Sequence, residues 1–221
     1  DKITNEAFAK TLTKISAQGI ETFYGGEIGE KIIKDLQGTS SLPSIMTLSD
    51  LKNYETKWRS PICVIYRERK ICGVGPPSSG MLTTGQILGM MENFDLAYLG
   101  YSAKSVHLIL EASRLAYADR GKYIADADFM PVPISGLLNK RYLKERSQLI
   151  STTNVLKKGM PGNPNGIDIA LAISPQHETA GTSHLSIVDS EGNIVSMTTT
   201  IESGFGSGLM TNGFFLNNEM T

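Results

Sequence analysis

Phe8, Leu12 and Ile15 recur at the three-to-four residue period of one helix face, and Gly19 ends the run, so Asn5–Gln18 is predicted to be helical. Ile28, Ile32, Ile33 and Leu36 continue that period in a second stretch opened by Thr22 and closed by Gly38. Thr47–Tyr54 reads as a short helix capped by Thr47 or Ser49, with Asp50 in its first turn. Pro61–Arg67 and Lys70–Gly75 are strand-like runs, read as a hairpin turning at Glu68-Arg69. Pro76-Pro77-Ser78-Ser79-Gly80 is a turn that feeds a helix over Met81–Phe94. The strongest helical pattern is Ser102–Lys122, whose broad apolar face holds Val106, Ile109, Leu110, Ser113, Leu115 and Tyr117. Asp126–Pro133 reads as a loop and Asn139–Leu149 as another helix.

Beyond Leu149 the pattern changes. Pro161, Gly162, Pro164, Gly166 and Pro175 punctuate a polar linker over about 151–181. Ser183–Asp189 and Asn193–Ile201 are then β-rich runs joined by Ser190-Glu191-Gly192, a hairpin with glycine in its turn. Four glycines between Gly204 and Gly213 punctuate a loop before a last strand at Phe214–Asn217. There is no internal repeat. The fold class is α+β: a helical first two-thirds followed by antiparallel strands.

The 221 residues suffice for a buried core without disulfide staples, and 40% hydrophobic with 19% charged residues is a globular composition. Lys and Arg number 21 against 22 Asp and Glu, a net charge of −1, which gives no electrostatic case for nucleic acid or an anionic membrane as partner. The apolar run Gly80–Met91 is interrupted by Thr, Gln and Gly, so no membrane-spanning segment is expected. The chain opens at Asp1 without a leader and stops at Thr221, five residues after the apolar run Gly213–Leu216, and is read as an interior piece of a longer protein.

With the turn at Glu68-Arg69, Cys72 faces Ile65 and Cys63 sits diagonal to it, poor geometry for a bridge, so two buried free thiols are expected. His107, His177 and His184 are far apart and form no zinc spacing with the cysteines, and Asp126 and Asp128 alone make no cation cage; no metal is expected. Asp119 and Arg120 read as a structural pair, Met90-Met91 as core, and His184 as a hydrogen-bonded structural histidine.

Chemistry concentrates at Gly181-Thr182-Ser183-His184, where the linker meets a strand, and at Thr198-Thr199-Thr200-Ile201-Glu202. A small residue followed by Thr at such a junction is where self-cleavage would expose a new N-terminus. A threonine hydroxyl is a weak nucleophile until a base lies beside it, and the α-amine of an N-terminal Thr, with an ordinary pKa of about 7.7–8.0, is such a base. As pattern alone, a plain Thr-rich hairpin explains the same residues.

The spacing Thr182-Ser183-His184-x-Ser186-Ile187, Gly192-Asn193-x-Val195-Ser196-x-Thr198-x-Thr200-Ile201-Glu202 and Phe205-Gly206 resembles the γ-glutamyltranspeptidase (glutathione hydrolase) family. Thr47-Leu48-x-Asp50-Leu51-x-x-Tyr54, Trp58-Arg59-x-Pro61, Gly75–Gly80, Ala116–Arg120 with Asp128-Phe129, and Phe215–Met220 extend the resemblance over nearly the whole chain. It implies part of an αββα N-terminal-nucleophile hydrolase sandwich, made as a precursor that cuts itself between Gly181 and Thr182. Residues 1–181 would then belong to the large-subunit region, and 182–221 would begin the small subunit. The resemblance makes Thr182 the nucleophile toward a γ-glutamyl amide such as glutathione, with water or an amino acid or peptide amine as acceptor, and Thr200 the hydroxyl that orients it. No cofactor is implied, and localisation would be periplasmic or secreted.

Two positions depart from the commonest family pattern. Glu202 and Glu219 stand where Asn and Gln often hold the substrate's α-amino group. Both remain acceptors for an ammonium, and both could turn preference toward another acyl group, as in the related cephalosporin or glutaryl-type acylases. The family's carboxylate-binding Arg would precede Asp1, a further amine-binding Asp would follow Thr221, and the oxyanion-hole loop would lie further on. Ser78-Ser79-Gly80 matches a structural turn rather than that loop. The chain by itself would therefore be a very poor enzyme, and an inert structural or binding module is the reading from a different class.

Overall fold

The computed structural model describes residues 3–39, 43–164 and 181–218. In chain order the elements begin α1 (Glu6–Gln18), α2 (Glu21–Tyr24), α3 (Glu27–Gln37) and α4 (Leu48–Lys52). Next come β1 (Ile62–Tyr66), β2 (Arg69–Gly73), α5 (Gly80–Met91), α6 (Leu96–Leu99), α7 (Ala103–Tyr123), α8 (Ile134–Leu137) and α9 (Lys140–Ser147). The described chain ends with β3 (Thr182–Val188), β4 (Ile194–Thr200), β5 (Met210–Thr211) and β6 (Phe214–Phe215). The described strands pair consecutively into three separate antiparallel ribbons, β1-β2, β3-β4 and β5-β6. The α+β class is found. No described helix is long and apolar enough to cross a membrane.

The chain divides into two compact units, Asp1–Lys57 with Glu178–Met220, and Trp58–His177. In the first, Asn5 caps α1 by accepting from Phe8 N at 2.9 Å, and the Gly19 N–H closes the helix on Ile15 O. The single helix expected from Thr22 to Gly38 is two helices, broken at Gly25-Gly26, where two glycines remove helix propensity. Gly29 then lies too close to the Phe23 carbonyl for a Cβ to fit. Thr47, not Ser49, caps α4: its N–H and Oγ1 both donate to Asp50 Oδ2, at 2.7 and 2.8 Å.

β5 and β6 meet at Asn212-Gly213, both in the left-handed region, and the N-terminal helices grip this turn. Thr11 Oγ1 donates to Asn212 O at 2.7 Å, Asn5 Nδ2 to Gly213 O at 2.7 Å, and Asn212 Nδ2 to Ile28 O at 3.2 Å. The Phe214 ring stacks on Phe23 and meets Phe8 edge-on, each at 6.3 Å. Asp35 on α3 accepts from Lys31 and from Thr211, which hold its carboxyl below its ordinary pKa.

The second unit has its core among α5, α7, α9 and α8, with Leu82, Leu108, Ala112, Leu115 and Leu137 almost fully buried. Its hairpin turns at Arg67-Glu68, both with positive φ, the backbone sign of a tight two-residue hairpin loop. That is one residue earlier than expected, so pairing shifts by two and Cys63 lies opposite Cys72. Their Cα atoms are 4.1 Å apart and the sulfurs are bonded, which corrects the expectation of two buried free thiols. Cys72 is exposed.

The buried face of α7 also differs from the expected one. Leu108, Ala112, Leu115 and Asp119 point into the core, while Val106, Ile109, Leu110 and Tyr117 are exposed. Asp119, 1% exposed, pairs with Arg146 of α9 at 3.2 Å rather than with Arg120. The same carboxylate accepts from Gln86 Nε2 at 2.9 Å, Tyr142 Oη at 2.6 Å and Gly162 N at 2.8 Å. Burial, then the Asp119 charge, pushes the Tyr142 hydroxyl far above its ordinary pKa. Arg146 Nη2 also donates to Leu115 O and Met160 O, so this node ties α5, α7 and α9 to residues 160–162. Residues 151–164 are irregular but are held on this core, with Leu156 N donating to Glu111 Oε2 at 2.7 Å, and the rest of the expected linker lies outside the described residues.

Candidate active site

β3 and β4 pair with Thr182 opposite Thr200, His184 opposite Thr198 and Ser186 opposite Ser196. The two-residue period of a strand places these six on one face and Leu185, Ile187, Val195 and Met197 on the other. Asp189 organises the connecting turn by accepting from Asn193 Nδ2 at 2.7 Å, Asn193 N at 2.8 Å and Glu191 N at 2.9 Å, and these bonds, the Asn193 side chain's first, hold its carboxyl below its ordinary pKa. The polar face is therefore a ladder of hydroxyls around one imidazole. His184 Nδ1 lies 2.8 Å from Thr198 Oγ1, and Nε2 lies 3.2 Å from both Ser186 Oγ and Ser196 Oγ. The hydrogen-bonded, structural reading of His184 describes this arrangement.

At the open end of the ladder, Thr182 Oγ1 donates to Thr200 Oγ1 at 2.9 Å. Thr200 Oγ1 accepts again, from Glu202 N at 2.8 Å. That second bond depends on Glu202 having a φ of +70°, a left-handed conformation that a residue with a side chain holds at a cost of about 1–2 kcal/mol. Asn218 offsets the cost from both ends of its amide: Nδ2 donates to Glu202 Oε2 at 2.6 Å, and Oδ1 accepts from Ser203 N at 3.0 Å. Gly181 lies against the Glu202 carbonyl so closely that a Cβ has no room.

The structure thus brings together Gly181, Thr182, Thr200 and Glu202. Glu219 lies outside the described residues. Sequence reasoning missed Asn218, seen only as one member of an Asn-Asn-Glu run, because its part arises from the turn at Glu202. Ser78-Ser79-Gly80 belongs to the other compact unit, where it forms the turn entering α5. Among the described residues no group of three or more His, Cys, Asp or Glu could hold a metal ion, and Asp126 and Asp128 instead pair with Arg59.

Chemically, the site offers a hydroxyl whose proton is directed to a second hydroxyl, beside a carboxylate on a fixed turn. In the intact chain the nitrogen of Thr182 is an amide and no base. Breaking the Gly181–Thr182 bond would turn it into an amine attached to the same residue as the hydroxyl.

The family model described as Gamma-glutamyltranspeptidase matches residues 1–221. A glutathione hydrolase proenzyme of Pseudomonas sp. (strain A14) is 35% identical over 226 residues, covering 100% of this chain and 37% of that protein. The crystal structure of Helicobacter pylori gamma-glutamyltranspeptidase is 40% identical, with a TM-score of 0.67 over 77% of this chain and 49% of that one. The cephalosporin acylase of Bacillus halodurans is 25% identical, with a TM-score of 0.77 over 97% of this chain and 36% of that one. The chain spans little more than a third of the length of such curated relatives.

Proposed function

The chain belongs to the gamma-glutamyltranspeptidase family, and from that membership we propose that it carries the self-cleaving and acyl-accepting centre of a γ-glutamyl-transferring precursor. The observation that carries the reading is the Thr182–Thr200 hydroxyl pair, placed where Gly181 joins the start of β3. In maturation, Thr182 Oγ attacks the Gly181 carbonyl carbon, and the peptide C–N bond breaks as the nitrogen takes a proton. Water hydrolyses the resulting ester, leaving a carboxylate at Gly181 and a free α-amine on Thr182. Residues up to Gly181 then belong to a large subunit and those from Thr182 to a small one, partners made from one precursor.

In turnover, that α-amine removes the Thr182 hydroxyl proton as Oγ attacks the γ-glutamyl carbonyl of a glutathione-type donor, and it returns the proton to the leaving amine. Water or the amine of an amino acid or peptide then attacks the ester and frees Thr182. Thr200 aims the nucleophile, and Glu202 with Glu219 receives the donor's α-ammonium through charge-assisted bonds. Export to the periplasm or medium suits the Cys63–Cys72 bond, since disulfides persist in oxidising compartments.

A second reading, an acylase taking a glutaryl-type group, is favoured by one observation: a bacterial cephalosporin acylase shares the fold of this chain. The test uses the full precursor that contains this chain. The expected result is two subunits by intact mass, the smaller beginning at Thr182, with turnover of a γ-glutamyl anilide that vanishes in Thr182→Ala. Faster turnover of glutaryl than of γ-glutamyl anilide would select the acylase. An uncleaved, inactive precursor would leave only a structural module.

A further inference from the structure

We propose that Asn218 is a positioning residue that sets donor selectivity by holding the Glu202 turn in its active shape; the proposal rests on Thr182 as nucleophile and Glu202 as ammonium acceptor. Asn218 spans side chain and backbone at once. Its Nδ2 fixes one carboxylate oxygen of Glu202 at 2.6 Å, and its Oδ1 fixes the next peptide through Ser203 N at 3.0 Å. The same turn aims the Glu202 N–H at Thr200 Oγ1, 2.8 Å away, and Thr200 Oγ1 in turn receives the Thr182 hydroxyl at 2.9 Å. One amide thereby governs both halves of the site, the acceptor for the donor's charge and the hydroxyl that aims the nucleophile. With Oε2 held by Asn218, the plane of the Glu202 carboxylate is set, and with it the directions in which its remaining lone pairs meet the ammonium.

An amide is needed because the two tasks require a donor and an acceptor on one short side chain. Asn218→Asp keeps the acceptor for Ser203 N but replaces the donor with a charge facing the Glu202 carboxylate. Asn218→Ala loses both. In the full precursor, Asn218→Asp is expected to cleave itself before Thr182 at close to the wild-type rate. It should raise KM for a γ-glutamyl anilide at least tenfold and change kcat less than threefold. Asn218→Ala should slow both self-cleavage and kcat tenfold or more, with a far-UV spectrum like that of the wild type.

An unchanged KM in Asn218→Asp overturns the proposal, as does an equal loss in kcat and self-cleavage for the two variants. If Asn218→Ala gives no folded protein, the KM-against-kcat split of Asn218→Asp decides alone. The underlying reading fails differently: wild-type precursor that neither cleaves nor turns over a γ-glutamyl anilide removes that premise, whereas an active wild type with indifferent Asn218 variants removes only this inference.

Discussion

Thr200 and Asp119 show what single side chains hold in place. Thr200 Oγ1 accepts from Thr182 and from the Glu202 N–H, so on the proposed mechanism Thr200→Val should lower self-cleavage and kcat by roughly 10²-fold, while Thr200→Ser stays within a few-fold. Mass spectrometry against time and steady-state kinetics check both. Asp119 accepts hydrogen bonds from four groups at 1% exposure, so Asp119→Ala leaves the Arg146 charge and three donors unmatched. Removing one partner of a buried pair costs about 3–5 kcal/mol, which thermal or urea unfolding of the Thr182→Ala chain would register as a large fall in midpoint. The two threonines were singled out by the family resemblance, and the turn at Ser190-Glu191-Gly192 sets them opposite each other in the hairpin. The Asp119 node was not legible in the sequence. The expected partner, Arg120, is adjacent in sequence and therefore turned away around the helix, while Arg146 reaches Asp119 from another helix.

Elements were legible where local chemistry decides them and illegible where packing does. Asn5, Thr47 and Ser102 cap helices where the pattern placed helix starts. The face of α7 was misjudged because large apolar residues mark it from Val106 to Tyr117, whereas its buried face mixes Leu108 and Leu115 with the small Ala112 and Ala116 and the carboxylates of Glu111 and Asp119. The Asn212-Gly213 turn, a strong hairpin signal, was passed over because its strands are only two residues long. In β1-β2 a one-residue error in the turn hid the Cys63–Cys72 bond. Closing a loop with a sequence separation of 9 is worth about 2–3 kcal/mol in the chain-entropy account, so Cys63→Ser with Cys72→Ser should lower the unfolding midpoint, and reduction should do the same to the wild type. At the end of α3, the Asp35 carboxyl is depressed by Lys31 first and Thr211 next. A depressed carboxyl stabilises the fold above its unfolded pKa and loses that contribution as pH falls through the lower, folded value. Melting temperature should therefore drop below about pH 4, and Asp35→Asn should flatten that part of the profile.

At the scale of the whole molecule, the compact units do not follow the order of the chain, and the proposed cleavage site does not lie between them. The first unit is assembled from Asp1–Lys57 and Glu178–Met220, joined by Asn5, Thr11 and Asn212 and by the rings of Phe8, Phe23 and Phe214. While the chain is continuous, these two stretches meet at an effective concentration set by the tether between them. Once the bond before Thr182 is cut, the same contacts become an association between two solutes, with the translational entropy of each to overcome. Diluted out of denaturant, the Thr182→Ala precursor should recover its fold at a rate independent of concentration, whereas the cleaved pair should recover only as a second-order process or not at all. The scissile bond would then act as a record of history: the continuous chain can find this unit repeatedly, and the cleaved one keeps it only for as long as it never lets go.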